Sequence, residues 1–173
     1  MKRLMDLTAE TGLVVDLHLM LDMVIPVHDG FQAQGDLLVA PLAPLADRVR
    51  AAEGAEWHEV SPGGVELLRG LAGGNTHSLV ADPDTCVWTA DVIDADGLAI
   101  AAFDAMATVY LLHREHGATG IAAGQYVVRR QRELIQPRVP LRRMGFVRHR
   151  SLPRAVQREV LAAQAARYRL IAD

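Results

Sequence analysis

The sequence predicts a mainly β fold, an antiparallel barrel or sandwich followed by a basic connector and a C-terminal α-helix. Three observations predict it. Short apolar segments recur every roughly 8 to 15 residues between turn residues, the spacing of all-β domains. Asp94-Ala95-Asp96-Gly97 separates two of these segments as a hairpin turn does. Beyond residue 133 the composition changes to arginine and alanine. Residues 1–133 are therefore assigned to a β-domain, and residues 134–173 to a basic arm and helix that packs on the domain or is swapped between subunits.

The elements follow in chain order. From Leu13 to Ile25 every odd position is apolar, with Asp16, His18 and Asp22 between them, and this period of two reads as a strand, with helix as the alternative. Such a strand is buried on both faces or pairs with a second subunit, which makes a homodimer an expectation. Further strands are expected at Asp36 to Ala40, Trp57 to Val60, Val65 to Leu68, His77 to Ala81, Cys86 to Ile93, Leu98 to Phe103, Thr108 to His113 and Gln125 to Gln131. Pro62-Gly63-Gly64 and Asp82-Pro83-Asp84 supply turns between them. Ala43 to Ala52 suits a short helix or an open loop. Pro137, Pro140 and Gly145 interrupt regular structure over Leu134 to Arg150, and Ser151 is placed to cap a helix running to about Ile171. On that helix Val156, Val160, Ala163 and Leu170 share one face, and Arg154, Arg158 and Arg169 the opposite one.

Composition excludes several classes. Half of the 173 residues are apolar, so the chain has the means to build a core and is not a disordered segment. One cysteine excludes a disulfide scaffold. The longest apolar run, Leu13 to Val27, contains two aspartates and a histidine, so neither a membrane helix nor a signal peptide is expected, and a cytoplasmic location is. Neither a Gly-rich loop ending in Gly-Lys nor a dinucleotide fingerprint is present, which speaks against nucleotide-dependent phosphoryl transfer.

Charge is divided unevenly along the chain. Residues 1–128 hold 6 basic and 18 acidic side chains, net −12, whereas residues 129–173 hold 12 basic and 3 acidic, net +9. Arg129, Arg130, Arg132, Arg138, Arg142, Arg143, Arg148, Arg150, Arg154 and Arg158 form a polyanion-binding set suited to phosphates or carboxylates. Phe146 and Tyr168 are the aromatic residues among them, too few for base stacking. The partners this predicts are an acidic protein surface, the chain's own acidic body included, or a nucleic acid bound with steep salt dependence and little sequence preference.

Catalytic chemistry has one candidate constellation. His113-Arg114-Glu115-His116 and His77 offer three imidazoles as ligands for a divalent transition metal, with Glu115 as general base. On a strand the side chains of residues 113 and 116 point to opposite faces, so the pair converges only if the chain turns over Glu115 to Gly117. The alternative is that His113 closes a strand and His116 is solvated. Cys86, within Thr85-Cys86-Val87-Trp88, reads as a small buried hydrophobe rather than a nucleophile. His18 with Asp22, and Trp57-His58-Glu59, are acid–base pairs by residue type alone.

Gly35-Asp36-Leu37-Leu38-Val39-Ala40-Pro41, His113-Arg114-Glu115-His116, the stretch Gly124-Gln125-Tyr126-Val127-Val128-Arg129-Arg130-Gln131-Arg132-Glu133 and the closing Arg169-Leu170-Ile171-Ala172-Asp173 resemble a family of small uncharacterised bacterial β-proteins. The resemblance covers residues 35–133 and the last five, and implies no activity. Three departures accompany it: an added segment before Gln34, a single His77 where the family has a closely spaced pair, and a basic insertion over Leu134 to Tyr168. Strand count and histidines also resemble cupin barrels, without their His-x-His motif. Two functions follow as expectations: a non-enzymatic binding or assembly module whose arginine-rich arm engages a polyanionic or acidic partner, and a metal-dependent small-barrel enzyme built on the histidines.

Overall fold

The computed structural model describes residues 2–69, 75–134 and 168–170. They belong to two compact units, one running to Gln131 and one that includes Arg132–Leu134 and Tyr168–Leu170.

The first unit opens with helix α1 (Leu4–Thr11). Leu4 and Leu7, one turn apart, are its buried residues, and the Asp6 carboxylate accepts the Arg3 backbone N–H at its N-terminus. Thirteen strands follow: β1 (Val27–His28), β2 (Gln32–Gln34), β3 (Leu37–Pro41), β4 (Val49–Ala51), β5 (His58–Glu59), β6 (Val65–Arg69), β7 (Thr76–Val80), β8 (Cys86–Thr89), β9 (Val92–Asp94), β10 (Ala99–Ala105), β11 (Val109–His113), β12 (Gly117–Ile121) and β13 (Gly124–Arg130). A 3-10 turn at Ala43–Leu45 precedes β4.

Two open sheets carry the architecture, in the orders β1-β12-β11-β7-β6 and β2-β3-β13-β10-β8-β5, so the layers are those of a sandwich and not a closed barrel. Pairing is antiparallel except between β1 and β12, where Val27 lies opposite Gly120. The main core gathers Leu79, Val109, Leu111 and Ile121 from the first sheet with Leu37, Val39, Phe103, Tyr126 and Val128 from the second. Alternation places the next residues on the outer faces. Val80, Tyr110 and Leu112 there pack against Leu4, Leu7 and Ile25, while Ala40 and Val127 pack against Val49.

Val49 belongs to a two-stranded ribbon, β4 with β9, pinned to the outer face of the second sheet at Asp94. The Asp94 carboxylate accepts the backbone N–H groups of Asp96, Leu98 and Ala99 at 2.9, 3.0 and 2.7 Å and pairs with Arg129 of β13 at 3.0 Å. Burial works against its charge, yet the backbone donors and Arg129 hold its pKa below the usual carboxylate value. The expected hairpin is thus present between β8 and β10, with Phe103 opposite Trp88, but β9 leaves it to join β4.

The N-terminal expectation is corrected. Leu13 to Ile25 forms no strand; after α1 ends at Gly12, the segment winds through turns and makes a single isolated bridge, Arg3 to Val24. Its backbone groups are satisfied elsewhere: the Leu4 and Met5 N–H groups donate to the carbonyls of Met23 and Leu21, Ile25 donates to Lys2, Asp16 donates to Arg114, and local turns take up the N–H groups of Leu19 and Met23. The alternating pattern survives in part as packing: Leu13, Val15, Leu19 and Ile25 join the cluster under α1, while Val14, Leu17, Met20, Leu21, Met23 and Val24 are exposed.

In the second unit, β14 (Arg132–Leu134) pairs antiparallel with β15 (Tyr168–Leu170). Residues 168–170 are therefore strand, where the C-terminal helix was expected to end. The remainder of that helix and the connector lie outside the described residues.

Candidate functional site

At one end of the sandwich the three predicted histidines come together. His77 of β7 and His113 of β11 are cross-strand neighbours on the inner face, each 1% exposed. His116 returns because the chain turns at residues 114–116, and Gly117 completes the reversal at φ 75°, a conformation that favours glycine. The rings form a bent column, with centroids 4.3 Å apart between His77 and His113 and 4.5 Å apart between His113 and His116, and interplanar angles of 29° and 19°.

The nitrogens of this column have assigned work. His113 Nδ1 accepts the backbone N–H groups of Glu115 and His116 at 3.2 and 3.3 Å, so its proton resides on Nε2. His77 Nε2 lies 3.1 Å from the carbonyl oxygen of Gln34, which only accepts, so this nitrogen donates. His77 Nδ1 faces the buried carboxylate of Asp36 at 3.6 Å. The Gln34 side-chain amide reaches back from β2 to the carbonyls of Leu111 and Gly117 and to Thr119. Glu115 is exposed, and its carboxylate is engaged by Asn75 Nδ2 at 2.6 Å.

The geometry brings His77, His113 and His116 together as a face-to-face stack, in which the Nδ1 lone pair of His113 is taken up by backbone N–H groups and Nδ1 of His77 faces Asp36. Among the described residues no group of three His, Cys, Asp or Glu is arranged to hold a metal ion. Only His116 of the three rings is exposed to solvent. Asp36 and Gln34 belong to this polar cluster and were not foreseen. Their signal was Gln34-Gly35-Asp36, polar side chains at a tight turn entering an apolar strand, which sequence alone reads as surface.

The polyanion set separates by position. Arg129 is 12% exposed at its side chain and bound to both Asp94 and Asp96, so its guanidinium fastens the ribbon to the sheet. Arg130 is half-buried at the end of β13, and Arg132 is exposed at the start of β14. Arg138, Arg142, Arg143, Arg148, Arg150, Arg154 and Arg158 lie outside the described residues. Cys86 is buried in the main core, and burial first, then the Asp104 charge, pushes its thiol up to about 12. No helix among the described residues is long and apolar enough to cross a membrane.

Neither a curated protein nor a solved structure matches the chain. The sequence profile of a family described as a domain of unknown function (DUF8820) matches residues 33–131. That span takes in β3 to β13 and more than half of the chain, and with it the histidine column, Asp36 and the Asp94 turn. The chain belongs to this family.

Proposed function

We propose that the protein is a non-enzymatic binding or assembly module whose arginine-rich C-terminal arm engages a polyanionic or acidic partner. The observation that carries this reading is the charge division, −12 over residues 1–128 against +9 over 129–173, together with the fate of the β-domain's own cations. Lys2 is bound to Glu10 and Asp82, Arg48 to Asp96, Arg114 to Asp16, and Arg129 to Asp94 and Asp96. Arg3 and Arg50 are exposed, but with 18 acidic side chains against 6 basic ones over residues 1–128 the domain is an acidic body, and attraction of a polyanion falls chiefly to the arginines beyond it. The same reading includes assembly into a homodimer through the N-terminal segment, where Val14, Leu17 and Met20 are more than half exposed. Sedimentation at monomer mass would remove that component.

The arm is tested on the full chain by fluorescence titration with polyglutamate and with a short single-stranded oligonucleotide across a salt series. Affinity should fall steeply with salt, as counterion release requires, and by at least about tenfold when Arg138, Arg142, Arg143 and Arg148 are all replaced by Glu. No binding at low salt, or equal binding by the variant, overturns the reading.

One observation, the convergence of three imidazoles, favours a second reading, a metal-dependent enzyme using His77, His113 and His116 as ligands and Glu115 as base. It requires the stack to open, Nδ1 of His113 to release its backbone donors, and Glu115 to leave Asn75. Metal content by plasma mass spectrometry decides it. Stoichiometric metal in the wild type, lost in both His113→Ala and His116→Ala, would support this reading, and a metal-free wild type would eliminate it.

A further inference from the structure

The sandwich end opposite the histidines holds a second feature. The chain register fixes the two ends: β3 runs from Leu37, just beyond Asp36, to Pro41, which lies opposite Tyr126. There a cleft of about 450 Å³ opens between the loop after β1, the turn after β3 and the start of β13. Its walls are Pro41, Leu42, Ala43, Ala46 and Ala123, small or aliphatic throughout, and no basic side chain is among the residues that line it. This volume falls in the usual range of small-molecule sites, which are apolar with a few placed polar groups.

Two polar groups are placed here, and both are unspent. Tyr126 is 2% exposed, and its ring stacks on Phe103 at 5.2 Å with the core on its other sides. Its hydroxyl end overlies Gly124 at the cleft wall, where an added Cβ would stand 3.4 Å from Oη. That hydroxyl hydrogen-bonds to no described residue, and unlike the ring it is open to the cleft rather than sealed in the core. Asp29 lines the same cleft as an exposed carboxylate with no ion pair or hydrogen bond among the described residues. Gln125, also at the cleft, already donates to Asp104. The phenol's pKa is raised by burial and then by the Asp29 charge, so it stays neutral and can both donate and accept.

From this juxtaposition we propose that the cleft is a binding site for a small primary ammonium compound with an apolar body. Asp29 pairs with the ammonium, Tyr126 Oη accepts one of its N–H groups, and the aliphatic walls take up the hydrocarbon. An anion would meet Asp29 without a compensating cation. A neutral apolar molecule would leave the tyrosine hydroxyl buried without a partner, which costs free energy.

The test uses the full chain and 2-phenylethylammonium as probe, followed by amide chemical shifts in a two-dimensional nitrogen–proton spectrum. The amides of Ala43, Gly124, Gln125 and Tyr126 should move and saturate in the millimolar range, while 3-phenylpropanol and 3-phenylpropionate at about 10 mM leave them in place. Asp29→Asn and Tyr126→Phe should each weaken the probe by roughly fivefold, with the unaltered spectrum elsewhere reporting an intact fold. Asp29 is exposed, so its substitution leaves the core untouched. Equal shifts with alcohol and amine, undiminished affinity in Asp29→Asn, or no response to the amine at about 10 mM each overturns the proposal.

Discussion

Replacing Asp94 with Ala removes the peg that fastens the β4–β9 ribbon to the second sheet. Three backbone N–H groups lose their acceptor, and Arg129 loses one of two carboxylates while keeping Asp96 at 2.9 Å. Hydrogen bonds to a charged group are worth about 1.5 to 3 kcal/mol each, but these share one acceptor and are not additive. Water can reach part of the opened turn, so the expected cost is about 3 kcal/mol, with roughly half of that for Asp94→Asn. In urea at neutral pH, Asp94→Ala should lower the unfolding midpoint by about 1.5 to 2 M. The pH dependence gives a second, independent reading. Because the folded pKa lies below the ordinary value, the charge of Asp94 contributes its full stabilisation above the unfolded value of about 3.9 and loses it as pH falls through the folded one. The gap between wild type and Asp94→Asn should therefore be constant from about pH 5 to 8 and close below about pH 4. A cost under about 1 kcal/mol for Asp94→Ala, or a gap that persists unchanged to about pH 3, would refute the reasoning.

Two further perturbations have expected outcomes. With its thiol pushed up to about 12 from a reference of 9.0, Cys86 should react with a disulfide reagent at least about thirtyfold more slowly in the native protein than in urea, since the loss of thiolate is only partly offset by its greater nucleophilicity; full labelling within minutes under native conditions would contradict its burial. Gly120→Ala places a Cβ 2.8 Å from Val27 Cγ2 and 2.9 Å from the Pro26 carbonyl oxygen, backbone that cannot swing aside. It should cost about 2 kcal/mol and speed hydrogen exchange at Ala122, whose N–H bonds His28, and a stability within about 0.5 kcal/mol of wild type would show that β1 is not held as described.

Strands whose apolar residues alternate between turn residues were legible: the stretches read at Asp36 to Ala40, Thr108 to His113 and Gln125 to Gln131 correspond to β3, β11 and β13. Strand β12, Gly-Ala-Thr-Gly-Ile, was not, because two glycines and a threonine carry no hydrophobic period; its place comes from β11 on one side and β1 on the other. Helix α1 was missed for a related reason, since eight residues give only two turns of pattern, and Leu4 and Leu7 acquire meaning only once a sheet face lies beneath them. The segment from Leu13 to Ile25 shows the converse. Its period of two is real, but a strand is a relation between two chains, and this backbone finds its partners in local turns, at the start of α1 and at Arg114 rather than along a sheet edge.

The histidines show how far spacing alone can carry a site. Spacing allows residues 113 and 116 to converge only through a turn, and that turn exists. What spacing could not give is which way the nitrogens point. Once the reversal at residues 114–116 directs two backbone N–H groups at Nδ1 of His113, the ring becomes a cap for the turn that brought its partner back. The residues that make convergence possible thereby consume the lone pair that chelation would need. By the same logic a polar group left unspent is the more informative signal: Tyr126, read as one letter of a strand motif, ends with its hydroxyl in a cleft beside Asp29, where nothing described in the fold requires it to be polar. Tyr126→Phe keeps the ring that stacks on Phe103 and removes only the hydroxyl at the cleft, so it separates packing in the core from recognition at the cleft.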